Sequence, residues 1–256
     1  NTYGHSTTLL MFKRANRWFP IIEPILKKHN IPSDFKYLAL IESFFENLSS
    51  PKGAAGYWQF MPNTATEYGL EVNDEIDERL NVEKSTEAAC LYLRKMYNMY
   101  KNWTLAAASY NVGHGSLSRS LENQQINDYH NLFLNRETAR YVYRIIAVKI
   151  IFQNPQNYGF YIRKKDLYPT IPTEIIEVDT TITDLVSFSI KNGINYKILK
   201  ELNPWLIKST LTNKDRKIYQ IKILPKGYDP ENLFKTPAEY EMEMLSNDSL
   251  LNISRN

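Results

Sequence analysis

The sequence predicts a mainly α-helical domain followed by a small α+β module. Apolar residues recur at helical spacing up to about residue 153, and a stretch rich in Pro, Asn, Tyr and Lys follows at 154–173. Beyond it, two short alternating segments enclose two short helical ones. We therefore expect domains at 1–153 and 174–225, joined by the linker 154–173. The polar tail at 226–256 is expected to be poorly ordered.

Helices account for most of the N-terminal domain. A first helix is expected at 8–29, with Pro24 kinking it or dividing it in two. Ser33 is a natural N-cap for the apolar helix that follows. Gly113 and Gly115 are expected to close a later helix. The further helices are expected at 63–69, 82–100, 104–110 and 137–152.

The C-terminal module shows a different periodicity. Residues 174–178 and 218–223 alternate as strands do, and between them 183–191 and 196–202 are typical of short helices. An Asn203-Pro204 turn separates the second helix from the last strand. The module is thus predicted to run strand, helix, helix, strand.

Glu42 is a single carboxylate in an otherwise apolar helical stretch. On a helix it shares a face with Phe35, Leu38 and Ala39 through the spacing i, i+3, i+4, i+7. Burial disfavours the ionised form of a carboxyl group and raises its pKa. A glutamic acid that stays protonated near neutral pH can act as a general acid on a glycosidic oxygen. From this helix alone, a glutamate at the helix rim with its head group in water is an equal alternative.

Composition excludes several other classes of protein. The net charge of +3 is too small to indicate a nucleic-acid partner, and no basic run supports one. The four histidines are scattered without the spacing of metal ligands, so neither a metal nor a cofactor is expected. Cys90, the single cysteine, is expected to be buried in a helix. No apolar stretch approaches the length needed to span a bilayer.

Three segments follow the Glu42-Ser43 pair in a fixed order. They are residues 50–65 (SPKGAAGYWQFMPNTA), 107–113 (AASYNVG) and 137–142 (ETARYV). In this order they resemble the lytic transglycosylases of the goose-type-lysozyme-like group, glycoside hydrolase family 23. The resemblance covers roughly residues 10 to 155.

The resemblance implies a lysozyme-like (SLT-type) catalytic domain that acts on peptidoglycan glycan strands. It implies that Glu42 protonates the oxygen between MurNAc and GlcNAc. Glu42 then takes the proton of the C6 hydroxyl, which closes a 1,6-anhydro ring without a second protein carboxylate. By the same resemblance, the substrate-binding residues are Ser50, Gln59, Met61, Tyr110, Asn111, Glu137 and Tyr141. Trp58 is interpreted as scaffold rather than as a stacking platform.

The C-terminal module resembles a LysM peptidoglycan-binding module. Leu199 leading to Asn203-Pro204 and the closing Leu224-Pro225 carry this resemblance. The usual Gly-Asp-Thr start is absent, and residues 178–182 (VDTTI) stand in its place. A small domain that only packs against or spaces the catalytic one is therefore an open alternative to glycan binding.

Two other functions remain open at this point. A true hydrolase would need a second carboxylate. Glu46 lies near the end of the Glu42 helix, and Asp74, Asp77 and Glu78 lie in an acidic loop that we expect to be solvated. A non-catalytic murein-binding protein is the other alternative.

The substrate implies a bacterial protein in the periplasm or associated with the outer membrane. The chain begins at Asn1 rather than at Met, so a signal peptide or lipid anchor would lie upstream of it. No protein partner is indicated by the sequence.

Overall fold

The computed structural model describes residues 4–233, 235, 236, 238 and 239. Its N-terminal part is helical, as predicted. The helices are α1 (His5–Lys28), α2 (Phe35–Ser43), α3 (Pro62–Glu67), α4 (Val82–Tyr100), α5 (Trp103–Val112), α6 (His114–Gln124) and α7 (Arg136–Gln153). Short 3-10 turns lie at Glu78–Leu80 and Tyr129–Asn131.

The first helix is continuous, so of the two outcomes expected at Pro24, a kink or a division, the division is wrong. Both Pro20 and Pro24 lie inside α1. Ile22 and Leu26, which flank Pro24, are fully buried. Tertiary packing of this apolar face keeps the helix in one piece where the local sequence favours a break.

The predicted N-cap at Ser33 is also wrong. Helix α2 begins at Phe35, and the residue before it, Asp34, makes no side-chain cap. The Phe35 N–H donates to the Pro32 carbonyl at 3.0 Å and the Lys36 N–H to the Ser33 carbonyl at 3.2 Å. Backbone turns therefore satisfy donors that a side-chain cap would otherwise take.

Helix α6 has no counterpart in the sequence-based expectations. Gly113, with φ +82°, ends α5, whereas Gly115 lies inside α6 and does not close a helix. Leu117 is the buried residue of α6. Helix α6 carries two large apolar residues, Leu117 and Leu121, and these are too few to distinguish it from a polar loop in the sequence.

The C-terminal module has the predicted order of elements. These are β1 (Glu174–Val178), α8 (Leu185–Lys191), α9 (Tyr196–Leu202) and β2 (Tyr219–Ile223). The two strands pair antiparallel, with Glu174 opposite Ile223 and Val178 opposite Tyr219. Helix α8 begins two residues later than expected because Asp184 caps it, accepting from the Val186 N–H at 2.8 Å.

Two hydrophobic cores both take residues from one segment, 71–83, in which Val72 and Val82 pack in the first core and Ile76 and Leu80 in the second. Most of the first core comes from α1, α2, α4, α5 and α7, and most of the second from the C-terminal module. Ile76 comes from the helical part but is buried in the second core and pairs with Leu206. Nearby, Lys222 on β2 forms an ion pair with Glu83 at 2.5 Å. The module is therefore docked on the helical domain.

The predicted tail, 226–256, lies partly outside the described residues. Among those described, Leu233 and Thr236 are buried. The Leu233 carbonyl accepts from Arg17 at 2.9 Å, and Glu239 pairs with Lys13 at 3.1 Å, so both contact α1. In the described part of the chain, no helix combines the length and the apolar run of a membrane span.

Candidate active site

Glu42 lies one residue before the end of a helix that is buried almost all round. Seven of the nine residues of α2 are buried, and Glu42 is half-buried. The helix ends because Phe44 and Phe45 adopt the left-handed conformation, with φ of +50° and +53°. The Ser43 hydroxyl donates to the Tyr57 carbonyl at 2.9 Å, which fixes the helix end against the following loop.

Tyr141 holds the Glu42 carboxyl group directly. Its phenolic O–H donates to Glu42 Oε1 from α7, and the tyrosine is buried, at 2% exposure. Helices α2 and α7 pack together, which brings these two residues into contact across 99 positions of sequence. The structure thus joins the predicted acid to one predicted binding residue.

The surroundings of Glu42 favour its protonated form. Burial raises the pKa of Glu42 above its usual value of 4.5. The hydrogen bond from Tyr141 and the positive charge of Arg144 lower this pKa, and the negative charge of Glu137 raises it. Burial outweighs the two opposing effects, so the carboxyl group keeps its proton to a higher pH than an exposed glutamate.

Arg144 is a residue that sequence reasoning missed. Glu137, Tyr141 and Arg144 follow one another on α7 at the spacing i, i+4, i+7, which places them on one helical face. Once the 137–142 segment was assigned to the cleft, this spacing could have extended the site to Arg144.

Glu46 lies outside the helix of Glu42, and its carboxylate pairs with Arg14 at 2.5 Å. Glu137, in contrast, is exposed, and its charge acts on Glu42. Glu137 is therefore a candidate for the second carboxylate that a hydrolase would need.

The expectation that the acidic loop is solvated is wrong for two of its three carboxylates. Asp74 is exposed, but Asp77 and Glu78 are buried, at 9% and 4% exposure. Asp77 pairs with Arg79 at 2.7 Å, and Glu78 pairs with Lys84. Packing of the C-terminal module on this segment removes water, so its carboxylates are paired.

Four of the predicted binding residues line one groove of about 270 Å³. They are Gln59, Met61, Tyr110 and Asn111. The Tyr110 hydroxyl donates to the Trp58 carbonyl at 2.8 Å. Burial, and then the negative charge of Glu42, raise the pKa of Tyr110 well above its ordinary value. Tyr110 therefore connects the groove with the predicted acid.

Gln59 organises its own loop. It has φ +49°, and its side-chain amide donates to the Leu48 carbonyl at 3.0 Å and the Gly56 carbonyl at 2.9 Å. Gly56 has φ +77°, and a Cβ there would lie 1.9 Å from the Arg79 carbonyl oxygen. No other residue fits position 56 without moving the backbone. Met61, directly before α3, is 44% exposed.

Asn111 joins α5 to α7. Its Nδ2 donates to Glu137 Oε1 at 3.4 Å, and its Oδ1 accepts from the Thr138 hydroxyl at 2.8 Å. Asn111 and Glu137 are therefore brought together in the structure.

Ser50 is not joined to the other predicted residues by any hydrogen bond in the described part of the chain. Its hydroxyl accepts from the Ala54 N–H at 3.0 Å, and its own N–H donates to the Ala54 carbonyl at 2.7 Å. Ser50 closes a turn of the loop that carries Gln59.

Two other interpretations are confirmed. Trp58 is fully buried and donates from Nε1 to the Thr86 hydroxyl at 2.8 Å, so it is scaffold. Cys90 is buried in α4, where burial raises the pKa of its thiol to about 12. Across the described residues, no group of three or more His, Cys, Asp or Glu side chains is arranged to hold a metal ion.

Two family models match this chain. The model for the transglycosylase SLT domain matches residues 19–133. The model for the soluble lytic transglycosylase C-terminal LysM-like domain matches residues 174–232. The first match covers most of the helical part but ends before α7, and the second covers the C-terminal module.

Among characterised proteins, the chain is similar to membrane-bound lytic murein transglycosylase D of Escherichia coli strain K12. The identity is 29% over 216 residues, which is 82% of this chain and 46% of the relative. The protein of the same name from Escherichia coli O6:H1 strain CFT073 gives the same values. The chain thus spans about half the length of these relatives.

Among solved structures, the chain is similar to the 70 kDa soluble lytic transglycosylase of Escherichia coli. The identity is 24%, the TM-score is 0.46, and the match covers 54% of this chain and 24% of that one.

Proposed function

We propose that this chain is a peptidoglycan lytic transglycosylase, because its residues 19–133 are a transglycosylase SLT domain and its residues 174–232 a LysM-like domain. It cleaves the β-1,4 bond between MurNAc and GlcNAc and leaves 1,6-anhydroMurNAc at the new strand end. The observation that carries the proposal is the half-buried Glu42, whose pKa is raised by burial and whose carboxyl group accepts from Tyr141.

Glu42 serves first as acid and then as base. As the glycosidic bond breaks, the carboxylic acid gives its proton to the leaving oxygen, the O4 atom of GlcNAc. The C6 hydroxyl of MurNAc attacks the anomeric carbon and forms the new C–O bond. The Glu42 carboxylate takes the hydroxyl proton, so the group returns to its starting state without a net change in charge.

The groove beside Tyr110 supplies the binding surface in this proposal. Gln59, Met61 and Asn111 border the sugars, and Tyr110 faces the reacting ring. Ser50 supports the loop that carries Gln59. Glu137 and Tyr141 form the opposite wall on α7. Holding the C6 hydroxyl near the anomeric carbon favours its attack over attack by water.

Hydrolysis is the second candidate, and the charge of Glu137 acting on Glu42 favours it. Two carboxyl groups flanking one glycosidic bond are the usual arrangement of a glycosidase. In that case Glu137 would activate water, and the product would carry a reducing MurNAc end.

The peptidoglycan substrate also fixes the proposed location. One relative is named a membrane-bound murein transglycosylase. We place this chain in the periplasm or at the outer membrane, bound to glycan strands. The LysM-like domain is docked on the catalytic domain, as its ion pair with Glu83 indicates.

Mass spectrometry of the muropeptides released from purified peptidoglycan tests the proposal. Wild-type protein should release products that end in 1,6-anhydroMurNAc. Glu42→Gln should reduce their release by about 10³-fold, because a general acid contributes about 10²- to 10⁴-fold and here one group serves twice.

Glu46→Gln is the matched control, since Glu46 lies four residues further on and pairs with Arg14. It should keep most of the activity. Reducing-end MurNAc from the wild type would establish a hydrolase instead, and loss of that product in Glu137→Gln would assign the second carboxylate. Sacculus binding without any released product would establish a murein-binding protein.

A further inference from the structure

Arg79 is a buried arginine that cross-links two backbone segments. It is 7% exposed. Its Nε and Nη2 donate to the two carboxylate oxygens of Asp77 at 2.8 and 2.7 Å. Its Nη1 donates to the Gly53 carbonyl at 2.7 Å and to the Phe60 carbonyl at 3.0 Å. The planar fork of a guanidinium group can make all these bonds at once, whereas a lysine ammonium cannot match their geometry.

The two carbonyls belong to the loop that borders the proposed sugar-binding groove. We call residues 48–61 the substrate loop, since they carry Ser50, Gln59 and Met61. The substrate loop has little regular structure, with isolated bridges from Ala55 to Ser49 and to Phe60. Arg79 joins the middle of this loop to its far end, and Gly56 packs against the Arg79 backbone from the same side. The shape of the groove wall therefore depends on Arg79.

The position of Arg79 depends in turn on the C-terminal module. The Asp77 N–H donates to the Trp205 carbonyl at 2.9 Å. The Glu75 carboxylate accepts from the Thr210 hydroxyl at 2.9 Å and from the Thr212 N–H at 2.8 Å. Between these two anchors, Ile76 is buried in the core of the module. Residues 75–79 thus form a strut between the module and the substrate loop.

We propose that Arg79 is a positioning residue that fixes the substrate loop for glycan binding, and that the docked C-terminal module holds Arg79 in place through the strut. The module therefore contributes to substrate binding at the catalytic groove, separately from any glycan that it binds itself. Arg79 touches no substrate and acts through Gln59 and Met61. The kinetic test of this inference rests on the proposed function, because it measures that activity.

Steady-state kinetics on soluble, un-cross-linked glycan strands tests the role of Arg79. Arg79→Lys should raise KM about tenfold, the size expected from losing charge-assisted hydrogen bonds, and should change kcat less than about twofold. Glu42 and Tyr141 lie outside the substrate loop, so the pH dependence of kcat should not move. A loss of folded protein would instead lower kcat and leave KM unchanged.

Arg94→Lys is the matched control. Arg94 is also an arginine that donates to two backbone carbonyls, those of His29 and Asn30, but it lies away from the substrate loop. This variant should lower the melting temperature less than Arg79→Lys, since Arg94 is only half-buried, and should leave KM unchanged. Equal KM values for Arg79→Lys and the wild type, or equal increases in KM for the two variants, would overturn the positioning role.

Glu75→Ala tests whether the module contributes to substrate binding, and it leaves the buried Asp77–Arg79 ion pair in place. It should raise KM about threefold with kcat unchanged, since it removes three hydrogen bonds at the far end of the strut, from the Thr210 hydroxyl and from the N–H and hydroxyl of Thr212. Asp179→Ala is its control, because the Asp179–Arg216 pair lies on the module surface at 51% and 72% side-chain exposure. An unchanged KM in Glu75→Ala would overturn the contribution of the module.

A binding measurement separates this inference from the proposed function. The Kd for glycan strands is measured by calorimetry in the Glu42→Gln background, with and without Arg79→Lys. A wild type that forms no anhydro product refutes the function but leaves this comparison intact. A Kd about tenfold weaker with Arg79→Lys supports the positioning role, and an equal Kd refutes it.

Discussion

The protein buries carboxyl groups in two places and gives them different partners, a neutral tyrosine in one and an arginine in the other. At the end of α2, burial raises the pKa of Glu42, and a neutral tyrosine is its hydrogen-bond donor. In the strut region, Asp77 is buried against Arg79 in a two-bond ion pair. The first group keeps its proton to a higher pH, whereas the second accepts two hydrogen bonds from the Arg79 guanidinium.

The difference shows that burial alone does not identify a catalytic carboxylate. A buried carboxylate with a matched cation contributes to the packing of two domains, because the charge is satisfied by that partner. A half-buried carboxyl group that is not paired with a cation can keep a raised pKa and so donate a proton near neutral pH. Asp77 and Glu78 are expected from the sequence to be solvated because the C-terminal module that covers them, including Trp205, becomes their neighbour only in the folded chain.

The largest effect on stability is expected from breaking the ion pair. Asp77→Ala leaves the Arg79 guanidinium buried without its carboxylate, which should lower the free energy of unfolding by about 3 kcal/mol. Urea unfolding followed by circular dichroism measures it. Asp179→Ala breaks an exposed pair and should cost less than about 1 kcal/mol. Similar costs for the two variants would show that the Asp77 pair behaves as a surface pair.

An intermediate effect is expected from Tyr141→Phe. The hydrogen bond from Tyr141 lowers the pKa of Glu42, so its loss should raise this pKa further. The acid form then persists to higher pH, and the alkaline limb of the kcat/KM profile should move upward. The maximal rate should fall about tenfold, since the carboxyl group loses its orienting partner.

Tyr129→Phe is the control for this prediction. Tyr129 is also buried, and its hydroxyl donates to the Thr138 carbonyl on α7 at 2.7 Å. The alkaline limb should stay in place in this variant. A limb that moves in both variants, or in neither, would mean that Tyr141 does not tune Glu42.

The smallest effect is expected on the stability of Glu42→Gln. Because burial raises the pKa of Glu42 in the folded state, its favourable contribution is present below the pKa of the unfolded chain. That contribution is lost as pH rises through the folded pKa. The variant should therefore gain melting temperature over the wild type as pH increases through this range. A difference that does not change with pH would show that Glu42 ionises at its ordinary pKa.

Much of the fold could be predicted from the sequence because its signals are local. The strand at Glu174–Val178 and the helices at Val82–Tyr100 and Tyr196–Leu202 lie where periodicity placed them. Helix α6 has no counterpart in the expectations because Leu117 and Leu121 are its two large apolar residues, too few to mark a helix among polar neighbours. At Pro24 the local sequence leaves a kink and a division open, and packing of the apolar face keeps α1 continuous.

The sequence by itself predicted the order of all the long elements except α6, the candidate acid Glu42 and four residues that line the groove. These follow from spacing and from short motifs, which the chain carries within a few residues. Only the tertiary structure decided which groups meet. The Tyr141–Glu42 bond, the action of Arg144 on Glu42, and the Arg79 link between substrate loop and strut join positions distant in sequence. Burial and charge pairing arise when separate segments pack, so no local pattern can encode them.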